Sequence, residues 1–338
     1  MEQSQNSAAE KQSNPVMKGV IHRQAFEDLA TCVQTFFNVD GTQLEPGEFR
    51  GQIDFIAGKD ILLYRENYSH RSHLECELLG KRFGFSIPLL TAKGKFLGEQ
   101  VDDSRIASSV SGEAFDHVME RGFEQLIVLL DHERLLKKAE QAGLSESALE
   151  AISPGRKWKA LKTRPSDIQS IRQNFTTMLN AVIRGEMNLS ADDFEKVIFD
   201  SVLPVIDGGG YRIDRQSSAI LVRRAIDVCE PVSGPVGISE LSTTLNASPR
   251  TLQLAFQKVM GTTPHNFFHR RRMTKARMAL LKADSRESRV TDIANHHGFS
   301  ELGRFSVQYR ELFGESPKVT LRRNLTSSVA IPFPSSGE

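Results

Sequence analysis

Gly237-Ile-Ser-Glu-Leu-Ser-Thr-Thr-Leu-Asn-Ala-Ser-Pro-Arg-Thr-Leu-Gln-Leu-Ala-Phe-Gln-Lys-Val-Met-Gly-Thr-Thr-Pro264 is repeated, in pattern, by Val290-Thr-Asp-Ile-Ala-Asn-His-His-Gly-Phe-Ser-Glu-Leu-Gly-Arg-Phe-Ser-Val-Gln-Tyr-Arg-Glu-Leu-Phe-Gly-Glu-Ser-Pro317. Fifty-three residues apart, Leu252 matches Phe305, Phe256 matches Tyr309 and Met260 matches Phe313. Gly261 and Pro264 recur as Gly314 and Pro317 in the same register. Upstream of the turn the offset is 52, pairing Leu241 with Ile293 and Ser242 with Ala294.

Each copy reads as a short helix, a tight turn and a second helix. Ile238, Leu241 and Leu245 make one apolar face; Ser248 then caps a helix with Pro249 at its first position. Leu252, Phe256 and Val259 bury that helix and Gly261 ends it. Helices joined so tightly cross steeply, which is helix-turn-helix geometry. Ile293, Ala294, Gly298 and Phe299 play the same parts in the second copy. Between the copies, Pro264 to Lys282 reads as a long basic helix, a strut carrying Arg270, Arg271, Arg272, Lys275 and Arg277.

The 338 residues carry 43 Lys+Arg and 42 Asp+Glu, yet the balance is uneven along the chain. Residues 216–325 have a net charge of +8 and residues 1–215 a net of −6. A basic module on an acidic body points to a polyanion partner for that module. The longest apolar run is Leu126 to Leu130, far below the roughly 20 residues of a membrane helix. Residues 1–15 lack the basic start and apolar stretch of a signal peptide. Cys32, Cys76 and Cys229 are odd in number and far apart, so they read as reduced thiols of a cytoplasmic protein.

Between Glu48 and Val110, short β-branched and aromatic runs bounded by Gly, Asp and Asn read as strands of an antiparallel barrel or sandwich. Phe123 to Leu130 is a further strand. Helices are expected over Asp131–Ala142, Ser145–Ile152, Asp167–Arg184 and, capped by Ser190, Phe194–Ile206. The stripe from Ile168 to Val182 suits a dimer helix or a domain core. Asp207-Gly-Gly-Gly210 reads as a hinge. The expected organisation is α+β: a tail at 1–19, a sensing and possible dimerisation domain at 20–207, a linker at 208–216, an all-α domain at 217–323 and a tail at 324–338.

Ile293-Ala294, Gly298-Phe299, Phe305, Tyr309, Phe313-Gly314 and Pro317 resemble the signature of AraC/XylS-type transcription regulators. Ser248-Pro-Arg-Thr-Leu-Gln, Phe256, Gly261 and Pro264 match that family's first motif. The resemblance covers about residues 217–323. In the N-terminal half, Phe49-Arg-Gly51, Arg65-Glu66, Gly84-Phe-Ser-Ile-Pro88 and Phe96-Leu-Gly98 are similar to the subgroup of the ethanolamine-utilisation regulator. That likeness implies a cupin-like barrel or β-rich effector domain with dimerisation helices; it names no ligand. The family also implies an activator working with RNA polymerase. Two departures stand out. Thr320 and Leu321 replace the usual Tyr-Arg pair, and Leu254 and Val307 stand where relatives often carry base-reading polar residues.

The expected recognition helices are 249–260 and 301–313. Their exposed positions offer Arg250, Thr251, Gln253 and Gln257, and then Arg304, Ser306 and Gln308, for base edges. Arg and Gln suit bidentate contacts to guanine and adenine, each worth ~1–3 kcal/mol of discrimination. Leu254 and Val307 would read a thymine methyl or nothing. Arg270, Arg271, Lys275, Arg310, Arg322 and Arg323 are assigned to phosphates, which set affinity and salt dependence.

Other constellations carry less. His70, His73 and Glu75 lack the His-x-His start of a metal-binding barrel and read as a solvated strand or loop. His296-His297 point apart at a helix end. Gly208-Gly-Gly210 lacks the following Lys-Ser/Thr of a phosphate loop. Glu66, Asp102 and Asp103 read either as acids facing a cationic effector or, the better reading, as surface. No nucleophile motif, metal set or cofactor signature is written here, so an enzyme is not expected. The sequence thus reads as a regulator of double-stranded DNA answering to a small molecule. The alternatives are control by a protein partner or oligomerisation, and, remotely, a catalytic β domain.

Overall fold

The computed structural model describes residues 14–89, 93–96, 98–100, 105–112, 114–153, 159–162, 164–207, 210–212, 217–230, 234–323 and 330–331. The N-terminal half opens with β1 (Met17–Arg23), α1 (Phe26–Cys32), β2 (Phe37–Gln43), β3 (Gly51–Gly58), β4 (Ile61–Tyr68), β5 (Ser72–Leu78) and β6 (Arg82–Pro88). It continues with β7 (Gly94–Phe96), β8 (Glu99–Gln100), β9 (Arg105–Val110), β10 (Ala114–Met119) and β11 (Phe123–Asp131). Then come α2 (His132–Gln141), α3 (Glu146–Ile152), β12 (Lys159–Lys162), α4 (Pro165–Arg184), α5 (Ala191–Asp207) and β13 (Gly210–Arg212).

The strands form two antiparallel sheets. One runs β1-β3-β4-β11-β6-β9-β12-β13 and the other β2-β5-β10-β7-β8. The sheets do not close on each other, so the cupin-like barrel implied by the resemblance is corrected to an open two-sheet sandwich. Alternation decides the two cores. Ile61, Leu63, Phe83, Phe85 and Ile87 face the helices α2–α5, while Leu62, Tyr64, Leu74 and Leu78 face the gap between sheets. The Ile168–Val182 stripe of α4 is spent inside the helical side of this core. Ser190 caps α5 as its sequence implies, its hydroxyl accepting from the Asp193 amide at 3.1 Å.

Three expected boundaries shift. The segment read as an N-terminal tail contains the start of β1, because Met17 to Gly19 pair with Phe55 to Ala57 of β3. Gly210 of the expected linker enters β13, which pairs with β12, a strand missed among helices. In the C-terminal tail, Ile331 is 1% exposed within the sandwich core and its amide donates to the Cys32 carbonyl at 3.0 Å.

Among the described residues, the elements of the C-terminal half are helices: α6 (Ser217–Cys229), α7 (Ile238–Leu245), α8 (Pro249–Met260), α9 (Pro264–Lys282), α10 (Val290–His296), α11 (Leu302–Phe313) and α12 (Pro317–Arg322). Ser248 caps α8 by accepting from the Thr251 amide at 3.1 Å. Gly261 and Gly314 end α8 and α11 in left-handed conformation, at φ 62° and 76°, where a side chain would be strained. The strut α9 joins two cores. Phe267 and Phe268 pack with Leu241, Leu252 and Phe256; Met273, Ala276 and Leu280 pack with Ala294, Phe299, Phe305, Tyr309 and Phe313.

Candidate nucleic-acid interface and interior cavity

On α8 the buried residues Leu252, Ala255, Phe256 and Val259 leave the other side to solvent. Arg250, Gln253, Leu254 and Gln257 recur at helical spacing and all four are exposed, so they share one face. Leu254 is 59% exposed. The equivalent face of α11 carries Gly303, Ser306, Val307 and Arg310, with Val307 also 59% exposed. Two large apolar side chains thus project from matching positions of the two helices. Thr251 and Arg304 are exposed beside these faces and Gln308 is half-buried. The Ser306 hydroxyl donates to the Leu302 carbonyl at 2.9 Å, and the Thr251 hydroxyl lies 2.8 Å from that of Ser248.

The departure at Thr320 and Leu321 has a packing account. The Tyr309 hydroxyl donates to Thr320 Oγ1 at 2.9 Å, and Leu321 joins the core of the second motif.

The basic residues divide by position. Arg310 and Arg322 are exposed. Arg271 is not available to a phosphate in this arrangement: it is 5% exposed and pairs with Asp40 at 2.7 Å, Glu75 at 2.9 Å and Glu230 at 2.8 Å. Arg270 donates to the Leu44 carbonyl, Lys275 to Glu230 at 2.6 Å, and Arg323 lies 3.6 Å from Asp28. The cause is docking. One face of α9 lies on the acidic N-terminal half, so part of the charge asymmetry is satisfied within the chain.

The same docking reaches the C-terminal ends of both recognition-type helices. Arg71 donates to the Met260 carbonyl at 2.5 Å, and Lys95 to that of Lys258. The Gln43 amide and the Gly47 backbone amide both reach the Leu312 carbonyl, at 2.8 and 3.1 Å. The free carbonyls of a helix C-terminus favour such donors.

His73, Glu75 and Asp116 come together at this boundary, their ligating atoms within 4.8 Å of one another. His73 is fully buried on β5, not in the solvated strand or loop its sequence suggested. The carboxylates are already matched by cations: Arg223 lies 2.8 Å from Glu75 and 3.4 Å from Asp116. The group reads as a domain-boundary ion-pair network.

A cavity of about 50 Å³ lies between the sheets. It exists because β6 and β9 turn small residues inward: Gly84 pairs with Ser109, and Ser86 with Ala107. Glu66, read from sequence as surface, is buried in its wall. Its carboxylate accepts from Gln125 at 2.5 Å and from the Tyr68 hydroxyl at 3.3 Å. Burial pushes the Glu66 carboxyl up to about 7 against these two bonds. His117 also lines the cavity, with burial and then the nearby His73 holding its imidazole down to about 3. The signal for Glu66 was its period: it shares a strand face with Tyr64 and Tyr68. Asp102 and Asp103 lie outside the described residues. A cleft of about 510 Å³ between α1, β2 and α9 shares Ala30, Phe37 and Val39 with the cavity, so these three form the partition.

Among the described residues no helix is long and apolar enough to cross a membrane. A family described as "Helix-turn-helix domain" matches residues 241–323. The chain is 40% identical over 103 residues to the "Probable thc operon regulatory protein" of Rhodococcus erythropolis, covering 30% of this chain and 31% of that one. It is 30% identical over 136 residues to the "XylDLEGF operon transcriptional activator 2" of Pseudomonas putida, covering 40% of this chain and 87% of that relative. The chain therefore spans about a third of the first relative's length and most of the second's. Among solved structures, the AraC-like transcriptional activator CuxR is similar over 77% of this chain and 95% of its own, at 13% identity and a TM-score of 0.41. A probable AraC family transcriptional regulator from Rhodopseudomonas palustris CGA009 matches 31% of this chain and 98% of its own, at 34% identity and a TM-score of 0.29. On its paired motifs and the relative matched over most of that relative's length, this chain belongs to the AraC/XylS family of transcription regulators.

Proposed function

We propose that the protein is a sequence-specific activator of transcription whose N-terminal half answers to a small molecule. The observation that carries this reading is the matched exposure of α8 and α11 at opposite ends of one rigid strut. Arg250, Thr251, Gln253 and Gln257 read bases through α8, and Arg304, Ser306 and Gln308 through α11. Arg310 and Arg322 hold phosphates. The two helices enter successive major-groove segments ~34 Å apart on one face of the duplex. RNA polymerase is the downstream partner, and a homodimer places two such modules on one operator. The sensing half is read with the subgroup of the ethanolamine-utilisation regulator on the residues quoted above; no effector is taken from that likeness.

Switching uses α1. Its Ala30, with Val33 at its end, lines the cavity. Its Glu27 and Asp28 hold Arg277 and Arg323 of the DNA-binding half. A ligand that displaces α1 therefore changes the docking of the second motif, because one rigid helix carries both contacts.

The test is fluorescence anisotropy of the full chain on duplexes selected for tight binding, at two salt concentrations. Two conserved blocks one helical turn apart and a steep loss of affinity with salt are expected. Binding without sequence preference would overturn the reading; a single block would leave only one motif reading bases.

A further inference from the structure

We propose that the cavity between the sheets is a binding site for a compact organic amine, its cation held by the Glu66 carboxylate among aromatic faces. The proposal rests on reading the N-terminal half as effector-responsive and gives that effector a chemical class.

Charge selects the class first. Among the described lining residues there is no Lys or Arg, and Glu66 is the sole carboxyl. An anionic ligand would meet no cation to offset its charge, and its presence would hold Glu66 protonated. An ammonium group would meet the one acid and the faces of Tyr64, Tyr68, Phe96 and Phe115, which line the same space. Aromatic faces attract a desolvated cation through their quadrupoles.

Hydrogen bonding selects it again. Glu66 Oε1 receives Gln125 at 2.5 Å, while Oε2 has only the long 3.3 Å contact with Tyr68. An ionised carboxylate has about four acceptor sites, so Oε2 has capacity for an N–H donor. His117 Nε2 is fully buried and has no hydrogen-bond partner among the described residues. Burial keeps that imidazole neutral, so in the tautomer protonated on Nδ1 its Nε2 accepts a second N–H. A buried acceptor without a donor is costly unless something supplies one.

Size limits the body. About 50 Å³ is several times the ~10–15 Å³ that a single water occupies on this measure. The partition of Ala30, Phe37 and Val39 offers the route in from the cleft beside α9.

The experiment compares benzylamine, benzyl alcohol and benzoate on the full-length protein, by thermal shift and by calorimetry at pH 6 in two buffers of different ionisation enthalpy. Benzylamine should raise Tm and the other two should not, since only a ligand of the native state stabilises it. Binding should release up to about one proton, because an adjacent cation ionises Glu66. The other titratable groups in the lining are Tyr64, Tyr68 and Cys76, all pushed upward by burial, and His117, held down; all four stay neutral at pH 6. Glu66→Gln should abolish the proton release and weaken benzylamine at least tenfold. Equal or tighter binding of benzoate or benzyl alcohol overturns the amine assignment and leaves the effector reading standing. Benzylamine binding with no proton released overturns the role of Glu66. Binding of none of the three at millimolar concentration overturns the assignment and removes the cavity's support for an effector. Should Glu66→Gln fail to fold, the comparison on the unaltered protein still decides.

Discussion

Arg277 of α9 and Glu27 of α1 meet at 3.1 Å across the boundary between the two halves, each side chain 3% exposed. The guanidinium also reaches Glu315 at 2.7 Å and lies over the Phe313 ring, 4.7 Å from its centroid. One buried cation therefore ties the first helix of the sensing half to the second helix-turn-helix motif. Removing one member of a buried pair strands the other, at a cost of about 3–5 kcal/mol. Glu27→Gln and Arg277→Met should each lower stability by that order in urea unfolding. The double variant should fall short of their sum; simple additivity would contradict a direct pair.

DNA contacts should separate by residue. Arg250→Ala should cost ~1–3 kcal/mol and relax preference at one position of the site. Arg322→Ala should weaken all sequences alike and reduce the salt slope by about 1. Arg271→Ala should leave the salt slope unchanged and lower Tm, because its guanidinium is spent on Asp40, Glu75 and Glu230. A reduced salt slope for Arg271→Ala would mean the halves separate on DNA.

Stability should vary with pH through two opposed groups. Glu66 is raised from 4.5 to about 7, so between those values the folded chain holds a proton the unfolded chain has lost. Its contribution is complete below pH 4.5 and is lost as pH rises through 7, by about 3 kcal/mol. His117 is lowered from 6.5 to about 3, so stability falls as pH drops through that window. The two slopes offset each other between about 4.5 and 6.5, and above 6.5 only that of Glu66 remains. Urea midpoints from pH 5 to 8 should show Glu66→Gln gaining on the unaltered chain; parallel curves would mean Glu66 titrates normally.

Ile331 should matter although it lies in the C-terminal tail. It is 1% exposed against Phe36, Leu78 and their neighbours in the sandwich core. Ile331→Ala should cost about 2 kcal/mol, read as a lower Tm of the N-terminal half, while Val20→Ala, at a 41% exposed position of β1, serves as the control of little effect.

The helix-turn-helix pair was legible because its determinants are local. Ser248 before Pro249 and Gly261 before Pro264 act within one or two turns of chain, and the repeat writes the same pattern twice, so caps, ends and buried faces follow from spacing. The bounds of α8 and α9 coincide with those expectations, and α11 begins one residue later. Strands β3, β4, β6 and β7 were legible for the same reason, as β-branched and aromatic runs between punctuating glycines. Strands β1, β12 and β13 were not, because each is held by partners distant in sequence.

Local pattern could tell that Arg271, Arg277 and Glu66 are charged; it could not tell what they face. Docking of an acidic half on a basic strut turned two of these into buried ion-pair members, and sandwich packing turned the third into a carboxyl in the wall of a cavity. Both outcomes are long-range. They depend on which strands pair, on the small residues Gly84, Ser86, Ala107 and Ser109 meeting across β6 and β9, and on where α1 sets Glu27. Helix periodicity and capping are written in consecutive residues, whereas burial of a charge is a property of the surfaces that close over it.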